Sequence, residues 1–302
     1  MKVGLLVNSA RQVARQARHA EHLGFDYVAA GEHVFFHGAP TNALTLLAAA
    51  AGATERVRLV SSISLLPLYP AALLAKMAVT VDEASGGRLE LGIGAGGEFP
   101  AEFAACGIDP RSRFRRLDEG LPLLRGLFRG APVTADGEFA RLNGLALRPP
   151  PVQPGGPPIW LAGRKPRALS RAGRYADVWI PYLVEPHHVE QGLRTVRDVA
   201  EEAGRERTAV YAALGAWMCV DPDAAWARRT GLAAVSGGYQ QDFTDLEHYL
   251  LLGDPAQVIA RLREFAEAGV RTVLIQIAGG DADRDRIIRT IAEQVLPEVH
   301  RY

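Results

Sequence analysis

The segment that decides the fold runs from residue 58 to residue 97 and reads RLVSSISLLPLYPAALLAKMAVTVDEASGGRLELGIGAGG. Residues 58–66 form an apolar run typical of a strand, and residues 71–84 carry apolar side chains at helical spacing. Gly86-Gly87 end this helix before a second apolar run at 89–93. Strands with continuous apolar runs are buried on both faces, so the segment predicts a right-handed βαβ unit of a parallel sheet.

The same alternation of strands and helices continues along the chain. Gly24 follows a helical pattern at 11–23, and Asp254-Pro255 opens another helix with an N-cap residue and a proline in the first turn. We predict eight strands, at 3–7, 25–30, 58–64, 89–93, 159–162, 177–181, 210–219 and 272–278. Eight strand–helix units in 302 residues predict a (β/α)8 TIM barrel, with an open doubly wound sheet as the alternative.

Two stretches do not fit this repeat and are interpreted as insertions in one domain that spans residues 1–302. The first, at about 130–158, is rich in proline and glycine, and the second, at about 230–253, contains Gly237-Gly238-Tyr239. Both are predicted to be irregular. Long loops of a barrel are commonly lids over the active site, and a surface excursion without function is the alternative.

The composition excludes several classes of function. Acidic and basic residues balance at 34 each, so the charge gives no indication of a nucleic-acid partner. All apolar runs are shorter than about 18 residues, and the apolar stretch near the N-terminus is too short for a signal peptide. We therefore predict no membrane contact and a cytoplasmic location. Cys106 and Cys219 cannot form a disulfide framework, and no metal-binding motif is present. A small molecule is the expected partner.

Polar and glycine-rich groups follow several of the predicted strands. Polar residues at the C-terminal ends of barrel strands point into the active-site mouth, so His33 is a candidate proton shuttle, with a structural role as the alternative. Residues 92–97 match the dinucleotide pattern G-x-G-x-x-G, but they follow the fourth strand and run into Glu98-Phe99-Pro100, which disfavours a Rossmann domain. Consecutive glycines still let backbone N–H groups approach an anion or a flat ring, although a simple tight turn is also possible.

Two other strand ends carry similar candidates. The hydroxyls of residues 61–64 could face a ligand after strand three, or could belong to ordinary strand residues. Gly163-Arg164-Lys165 could receive a phosphate after strand five, or Lys165-Pro166 could simply start a helix.

Several of these stretches resemble the bacterial luciferase-like superfamily over about residues 1–295. The most specific match lies between residues 66 and 96, and supporting matches are found at 20–33, 157–163, 176–179, 253–255 and 267–270. The resemblance implies a TIM barrel that binds a flavin or a deazaflavin at the C-terminal ends of its strands. The sequence resembles most closely the members that use coenzyme F420 and transfer hydride at C5 of the deazaflavin. Glu98, Glu102 and Arg113 contribute to this likeness.

The resemblance also assigns residues to roles. His33 and Glu98 are the expected acid or base next to the transferred hydride. The implied cofactor contacts are Ser61, Ser62, Ile63, Gly94, Ala95, Gly96, Gly97, Ala162, Gly163 and Arg164. A non-proline cis peptide is expected at Ser62–Ile63, with Ser61–Ser62 as the alternative. The lysines that bind a sugar phosphate in some members have no clear counterparts here.

The resemblance leaves two alternative functions and one expectation about assembly. The first alternative is an FMN-dependent monooxygenase that uses reduced flavin and oxygen on the same barrel. The second is a non-catalytic flavin-binding barrel. Family members suggest a homodimer.

Overall fold

The computed structural model describes residues 1–37 and 41–302 and confirms the predicted barrel. All eight predicted strands are present, and β3 continues after a break as the short β4. The strands in chain order are β1 Lys2–Val7, β2 Tyr27–Ala30, β3 Arg58–Ser61, β4 Ser64–Leu65, β5 Leu89–Gly94, β6 Val133–Asp136, β7 Arg141–Leu145, β8 Ile159–Ala162, β9 Val178–Ile180, β10 Tyr211–Val220, β11 Leu251–Gly253 and β12 Val270–Ile277.

The sheet is closed, which decides against the open doubly wound alternative. Each barrel strand pairs in parallel with its neighbours in the order β1, β2, β3, β5, β8, β9, β10 and β12. The circle closes where β12 pairs with β1, with Lys2 opposite Thr272 and Leu5 opposite Ile275. Because all these strands are parallel, the loops after β2, β3, β5, β8 and β9 all open at one end of the barrel.

Helices surround the barrel. Their bounds are α1 Val13–His22, α2 Ala43–Ala51, α3 Ala71–Ala84, α4 Pro100–Ala105, α5 Arg113–Phe128, α6 Pro166–Tyr175, α7 Pro186–Glu202, α8 Ala224–Tyr239, α9 Pro255–Glu267, α10 Asp281–Thr290 and α11 Leu296–Val299. The predicted helix signals are confirmed at a C-terminal and at an N-terminal helix end. Gly24 has φ +87° just after α1, and Asp254 caps α9 by accepting from the N–H of Gln257 at 2.9 Å.

The interior of the barrel is apolar in its middle layer and polar near the N-terminal ends of the strands. Trp160 and Val60 belong to the buried inner cluster. Below them, the carboxylate of Glu90 is 4% exposed and accepts from Tyr27 Oη at 3.2 Å, from Trp160 Nε1 at 2.5 Å and from Arg58 Nε. A buried carboxylate needs such donors, and this hydrogen-bonded cluster fills the N-terminal end of the barrel. The opposite end, where the C-terminal ends of the strands meet, is the mouth.

The first insertion, 130–158, is only partly irregular. It contains the antiparallel hairpin of β6 and β7, whose tip is held by the Glu119 carboxylate, which accepts from the backbone N–H groups of residues 138–140. Asp82 fixes the end of the insertion by accepting from the backbone N–H groups of Val152 and Gln153, at 3.0 and 3.2 Å. Carboxylates on α3 and α5 therefore fasten this excursion to the barrel.

The prediction of an irregular second insertion at 230–253 is wrong for much of its length. The helix α8 extends to Tyr239, and Leu251–Gly253 forms β11, which pairs in parallel with the end of β10. Gly231 lies inside α8, where a Cβ would stand 3.0 Å from Cys219 Cβ and closer still to the Leu252 side chain. The glycine thus allows close helix–strand packing inside a segment that the sequence had predicted to be irregular.

Within residues 1–37 and 41–302, no helix has the length and apolar character needed to cross a membrane.

Candidate active site

The predicted cofactor residues come together at the mouth, because they follow three strands that are direct neighbours. Ser61, Ser62 and Ile63 follow β3, the glycines from Gly94 end β5, and Ala162 ends β8. β4 continues this arrangement, since Ser64 pairs with Ile93 and Leu65 with Gly94. The barrel therefore places residues about 30 and 100 positions apart in the sequence along one arc of the mouth.

The turn after β3 has the predicted backbone form. The Ser62–Ile63 peptide bond is cis, as expected from the family resemblance. The Ser61 hydroxyl donates to the carbonyl of Gly92 at 2.8 Å and accepts from its N–H at 2.9 Å. This buried hydroxyl joins β3 to β5 and is therefore fully engaged within the protein. Only the backbone of Ser61 contributes to the mouth.

The glycines of the mouth form a strip without side chains. A Cβ on Gly94 would collide with the Ile63 side chain, and Gly96 and Gly97 have φ of +60° and +116°, where other residues are strained. Gly163 has φ +116°, and its carbonyl accepts from Trp179 Nε1 at 2.7 Å. Partly exposed backbone at the ends of β5 and β8 is therefore held in a fixed position beside the Ser62–Ile63 turn.

Arg164 lies at the outer edge of this strip. Its side chain is exposed, and its guanidinium donates to the carbonyls of Tyr182 and Leu183, the first at 3.3 Å. Lys165 is the N-cap of α6 and Pro166 its first residue, so the interpretation of this dipeptide as a helix start is confirmed. Arg164 thus joins the loops after β8 and β9 next to a helix N-terminus, where an anion is favoured.

His33 stands at the mouth on the loop after β2. Its side chain is 21% exposed, and its ring stacks on Phe36 with centroids 4.4 Å apart. Its Nδ1 lies 3.2 Å from both carboxylate oxygens of Glu102, and its Nε2 lies 3.8 Å from Glu98 Oε2. The two predicted catalytic residues are therefore neighbours, although 65 positions separate them.

Glu98 also contacts the loop after β9. Tyr182 Oη donates to Glu98 Oε1 at 2.7 Å. Burial and the nearby charge of Glu98 raise the pKa of Tyr182, so the phenol remains a proton donor at neutral pH. Glu98 thus links His33 on one side of the mouth to Tyr182 on the other.

The adjacent Glu32 has a different role. Its carboxylate is 6% exposed and accepts from the N–H of Leu65 at 3.0 Å, from the N–H of Ala43 at 3.3 Å and from Asn42 Nδ2 at 2.9 Å. Burial raises the pKa of Glu32 despite these donors. Glu32 therefore fixes the loop that carries His33, and its carboxylate is directed into the protein and away from the mouth.

Aromatic rings line one side of the mouth, and we call Phe36, Trp217, Tyr239 and Phe243 the aromatic wall. Tyr239 at the end of α8 lies 6.1 Å from Phe36, 6.1 Å from Trp217 and 5.1 Å from Phe243, measured between ring centroids. Phe243 is buried, while the other three rings are partly exposed. The wall continues directly from the His33 ring.

The sequence interpretation missed the roles of Glu102 and Tyr182. Glu102 appeared there only as part of the family resemblance, and Tyr182 was not singled out. A signal was available for Tyr182, because it lies two residues beyond β9 at the C-terminal end of a barrel strand. Among the described residues, no group of three or more His, Cys, Asp or Glu side chains could hold a metal ion.

Comparison with known proteins identifies the class. The family model of luciferase-like monooxygenases matches residues 3–272, and the chain belongs to this family. A 5,10-methylenetetrahydromethanopterin reductase of Archaeoglobus fulgidus is 26% identical, with 93% of each chain covered. An FMNH2-dependent dimethylsulfone monooxygenase of Pseudomonas putida is 28% identical, with 85% of this chain and 80% of that protein covered.

Solved structures show the same barrel. The monooxygenase RslO1 from Streptomyces bottropensis superposes with a TM-score of 0.87 and 29% identity, over 100% of both chains. An F420-dependent secondary alcohol dehydrogenase, solved with an F420–acetone adduct, has a TM-score of 0.84 and 22% identity, over 99% of this chain and 98% of that one. The two sequence relatives are a reductase and an FMNH2-dependent monooxygenase, which supports the broad class of oxidoreductases for this chain, while the dehydrogenase solved with F420 shows the shared fold.

Proposed function

We propose that this protein is an F420-dependent oxidoreductase that transfers a hydride between C5 of the deazaflavin and a small organic substrate. The observation that carries the proposal is the pairing of His33 with Glu98, 3.8 Å apart, beside the glycine strip. Interconversion of an alcohol and a carbonyl moves a proton together with the hydride, and this pair supplies groups that exchange protons at the mouth. A barrel that only binds flavin needs no such pair.

The residues of the mouth fit a flat ring with a phosphate tail. Gly94, Gly96 and Gly97 have no side chains and Ala95 between them has only a methyl group, and a Cβ on Gly94 would occupy the space taken by Ile63. We infer that Ser62, Ile63 and Gly94 face the ring, and that Ala95, Gly96, Gly97, Ala162, Gly163 and Arg164 hold the tail. Backbone N–H groups and the start of α6 suit a phosphate.

The chemistry divides between cofactor and protein. A bound deazaflavin supplies a hydride donor or acceptor at C5. In alcohol oxidation the substrate hydroxyl loses its proton as the C–H bond gives up a hydride, and we infer that His33 Nε2 accepts that proton. In the reverse direction the imidazolium returns the proton to the carbonyl oxygen. Glu98 lies 3.8 Å from this nitrogen and accepts from Tyr182 Oη, and we infer that these two side chains orient the reacting group.

The side chains around the mouth favour an uncharged substrate over a sugar phosphate. Lysine occurs only at positions 2, 76 and 165. Lys2 begins β1 at the opposite end of the barrel, Lys76 donates to the carbonyl of Arg148 at 2.8 Å, and Lys165 is the exposed N-cap residue of α6, whose side chain makes no capping hydrogen bond. The aromatic wall instead offers apolar contact next to His33.

A second candidate is an FMN-dependent monooxygenase on the same barrel. It is favoured by the 28% identical FMNH2-dependent relative and by the likeness to RslO1. The cofactor decides between the two reactions, because a deazaflavin lacks the N5 atom and does not form the oxygen adduct that a monooxygenase needs. A cytoplasmic homodimer built from one domain stays a prediction for either candidate.

The test is equilibrium titration of the purified protein with F420 and, separately, with FMN, followed by fluorescence. Submicromolar binding of F420 alone supports the proposal, and binding of FMN alone refutes it in favour of the second candidate. His33→Ala should then lower kcat by roughly a hundredfold while the affinity for F420 stays the same. His37→Ala is the matched control, since His37 is exposed and four residues further along the same loop, and it should keep normal turnover.

A further inference from the structure

Glu102 is a buried carboxylate whose partners all lie on the loop that carries His33. Its side chain is 0% exposed, a rare state for glutamate unless it is paired. Glu102 Oε2 accepts from the backbone N–H of Val34 at 3.1 Å, and both oxygens lie 3.2 Å from His33 Nδ1. No other charged side chain among the described residues lies within salt-bridge distance of Glu102. The carboxylate is therefore arranged around one histidine nitrogen.

This arrangement determines where the imidazole proton resides. A carboxylate only accepts hydrogen bonds, so the nitrogen that faces it must be the N–H donor. Two oxygens at equal distance from Nδ1 are what a single N–H directed between them produces. In the neutral ring, His33 therefore carries its proton on Nδ1, and Nε2 presents its lone pair toward the mouth.

We propose that Glu102 is a positioning residue that holds His33 in the Nδ1–H form, so that Nε2 is the atom that accepts the substrate proton. The assignment of the proton acceptor rests on the function proposed above, whereas the tautomer is a property of the protein alone. Phe36 contributes by stacking on the imidazole, which limits rotation of the ring. Glu98 lies on the opposite side of the ring, near Nε2, and does not compete for Nδ1.

The substitution Glu102→Gln should invert the tautomer. The N–H of Val34 requires an acceptor, so the amide oxygen of the new side chain should take the place of Oε2. The amide NH2 then takes the place of Oε1, 3.2 Å from Nδ1, and we expect it to donate to that nitrogen, which moves the His33 proton onto Nε2. The packing volume hardly changes, so the effect is electronic and local. Glu98→Gln is the matched control, because it changes the side chain near Nε2 and keeps the Glu102 carboxylate at Nδ1. It should therefore leave the His33 proton on Nδ1.

The experiment is NMR of the ring nitrogens in protein labelled with ¹⁵N-histidine, without any cofactor, at about pH 8.5, where an ordinary imidazole with pKa of about 6.5 is neutral. His33→Ala identifies the His33 signals among the eight histidines. We expect Nδ1–H in the wild type and in Glu98→Gln, and Nε2–H in Glu102→Gln. An Nε2–H signal in the wild type overturns the proposal even if Glu102→Gln fails to fold. An unchanged tautomer in a folded Glu102→Gln protein also overturns it.

Turnover separates this proposal from the proposed function. With F420 bound, Glu102→Gln should lower kcat by roughly a hundredfold, with KM and cofactor affinity unchanged. If the tautomer inverts and kcat stays normal, Glu102 positions the ring but His33 is not the proton acceptor, and the proposed mechanism fails. If the protein does not bind F420, the NMR result still decides the tautomer.

Discussion

The close approach of β3 and β5 below the mouth predicts that Gly92→Ala destabilises the fold. A Cβ on Gly92 would lie 3.0 Å from the carbonyl carbon of Ser61 and 3.3 Å from Ile63 Cγ2, and closer still to the Ser61 oxygen. The obstacle is backbone, which cannot change rotamer. Ser61 and Gly92 are also held together by the two hydrogen bonds of the Ser61 hydroxyl, at 2.8 and 2.9 Å.

The expected loss of stability in Gly92→Ala follows from the contact between the new methyl group and the backbone. Extra methyl groups in a packed core cost about 1–3 kcal/mol, and a methyl forced onto buried backbone belongs at the upper end, about 3 kcal/mol. In a large domain, a loss of 1 kcal/mol lowers Tm by roughly 2–4 °C. We therefore expect Gly92→Ala to lower Tm by about 6 °C or more.

Gly94→Ala is the matched comparison. Its Cβ would meet the terminal methyl of Ile63, a side chain that can change rotamer, so we expect a loss of about 1 kcal/mol. Moving Ile63 changes the surface of the mouth, and cofactor affinity should fall in Gly94→Ala. Thermal unfolding is followed by circular dichroism without ligand, and affinity by fluorescence titration. A Gly92→Ala protein within 1 °C of the wild type, on the scale of about 6 °C worked out above, would refute the steric argument. So would a Gly94→Ala protein less stable than Gly92→Ala.

Three further predictions concern other parts of the chain. Burial raises the pKa of the Cys219 thiol to about 12, so a thiol reagent at about pH 8 should modify only the exposed Cys106 in the native protein, and a second equivalent should react only in urea. Arg88 donates to four backbone carbonyls and one hydroxyl, so Arg88→Lys should lower the free energy of unfolding by about 3 kcal/mol in urea titrations, and a loss below about 1 kcal/mol would contradict this. Trp179→Phe removes the N–H that holds the Gly163 carbonyl after β8 and should weaken cofactor binding about fivefold, whereas Trp160→Phe, in the buried inner cluster of the barrel, should leave that affinity unchanged.

The sequence by itself determined the eight strands of the barrel, several helix ends and the fold class. The helix signals at Gly24 and Asp254 act through residues within one turn, so their effect is the same in almost any tertiary context. The eight apolar runs between helical patterns have few arrangements that bury both faces of every strand. The strand ends also located His33, because a parallel barrel gathers its strand ends at one mouth, and the family resemblance added Glu98 as a separate candidate.

The second insertion shows where sequence reasoning fails. Glycines at 231, 237 and 238 are typical of loose segments, but Gly231 is needed for contact with Leu252, which is 21 positions away. A glycine required for close packing and a glycine required for a turn look alike in a sequence. Only the partner across the contact distinguishes them.

The contacts of the site were decided by tertiary structure alone. Glu102 meets His33 across 69 positions, and Glu98 meets Tyr182 across 84. Which oxygen accepts from which nitrogen depends on closure of the barrel and on the path of the loops after β2, β5 and β9. Local propensity carries no information on these distances, because hydrogen bonds between distant side chains form only after the whole sheet has set their positions.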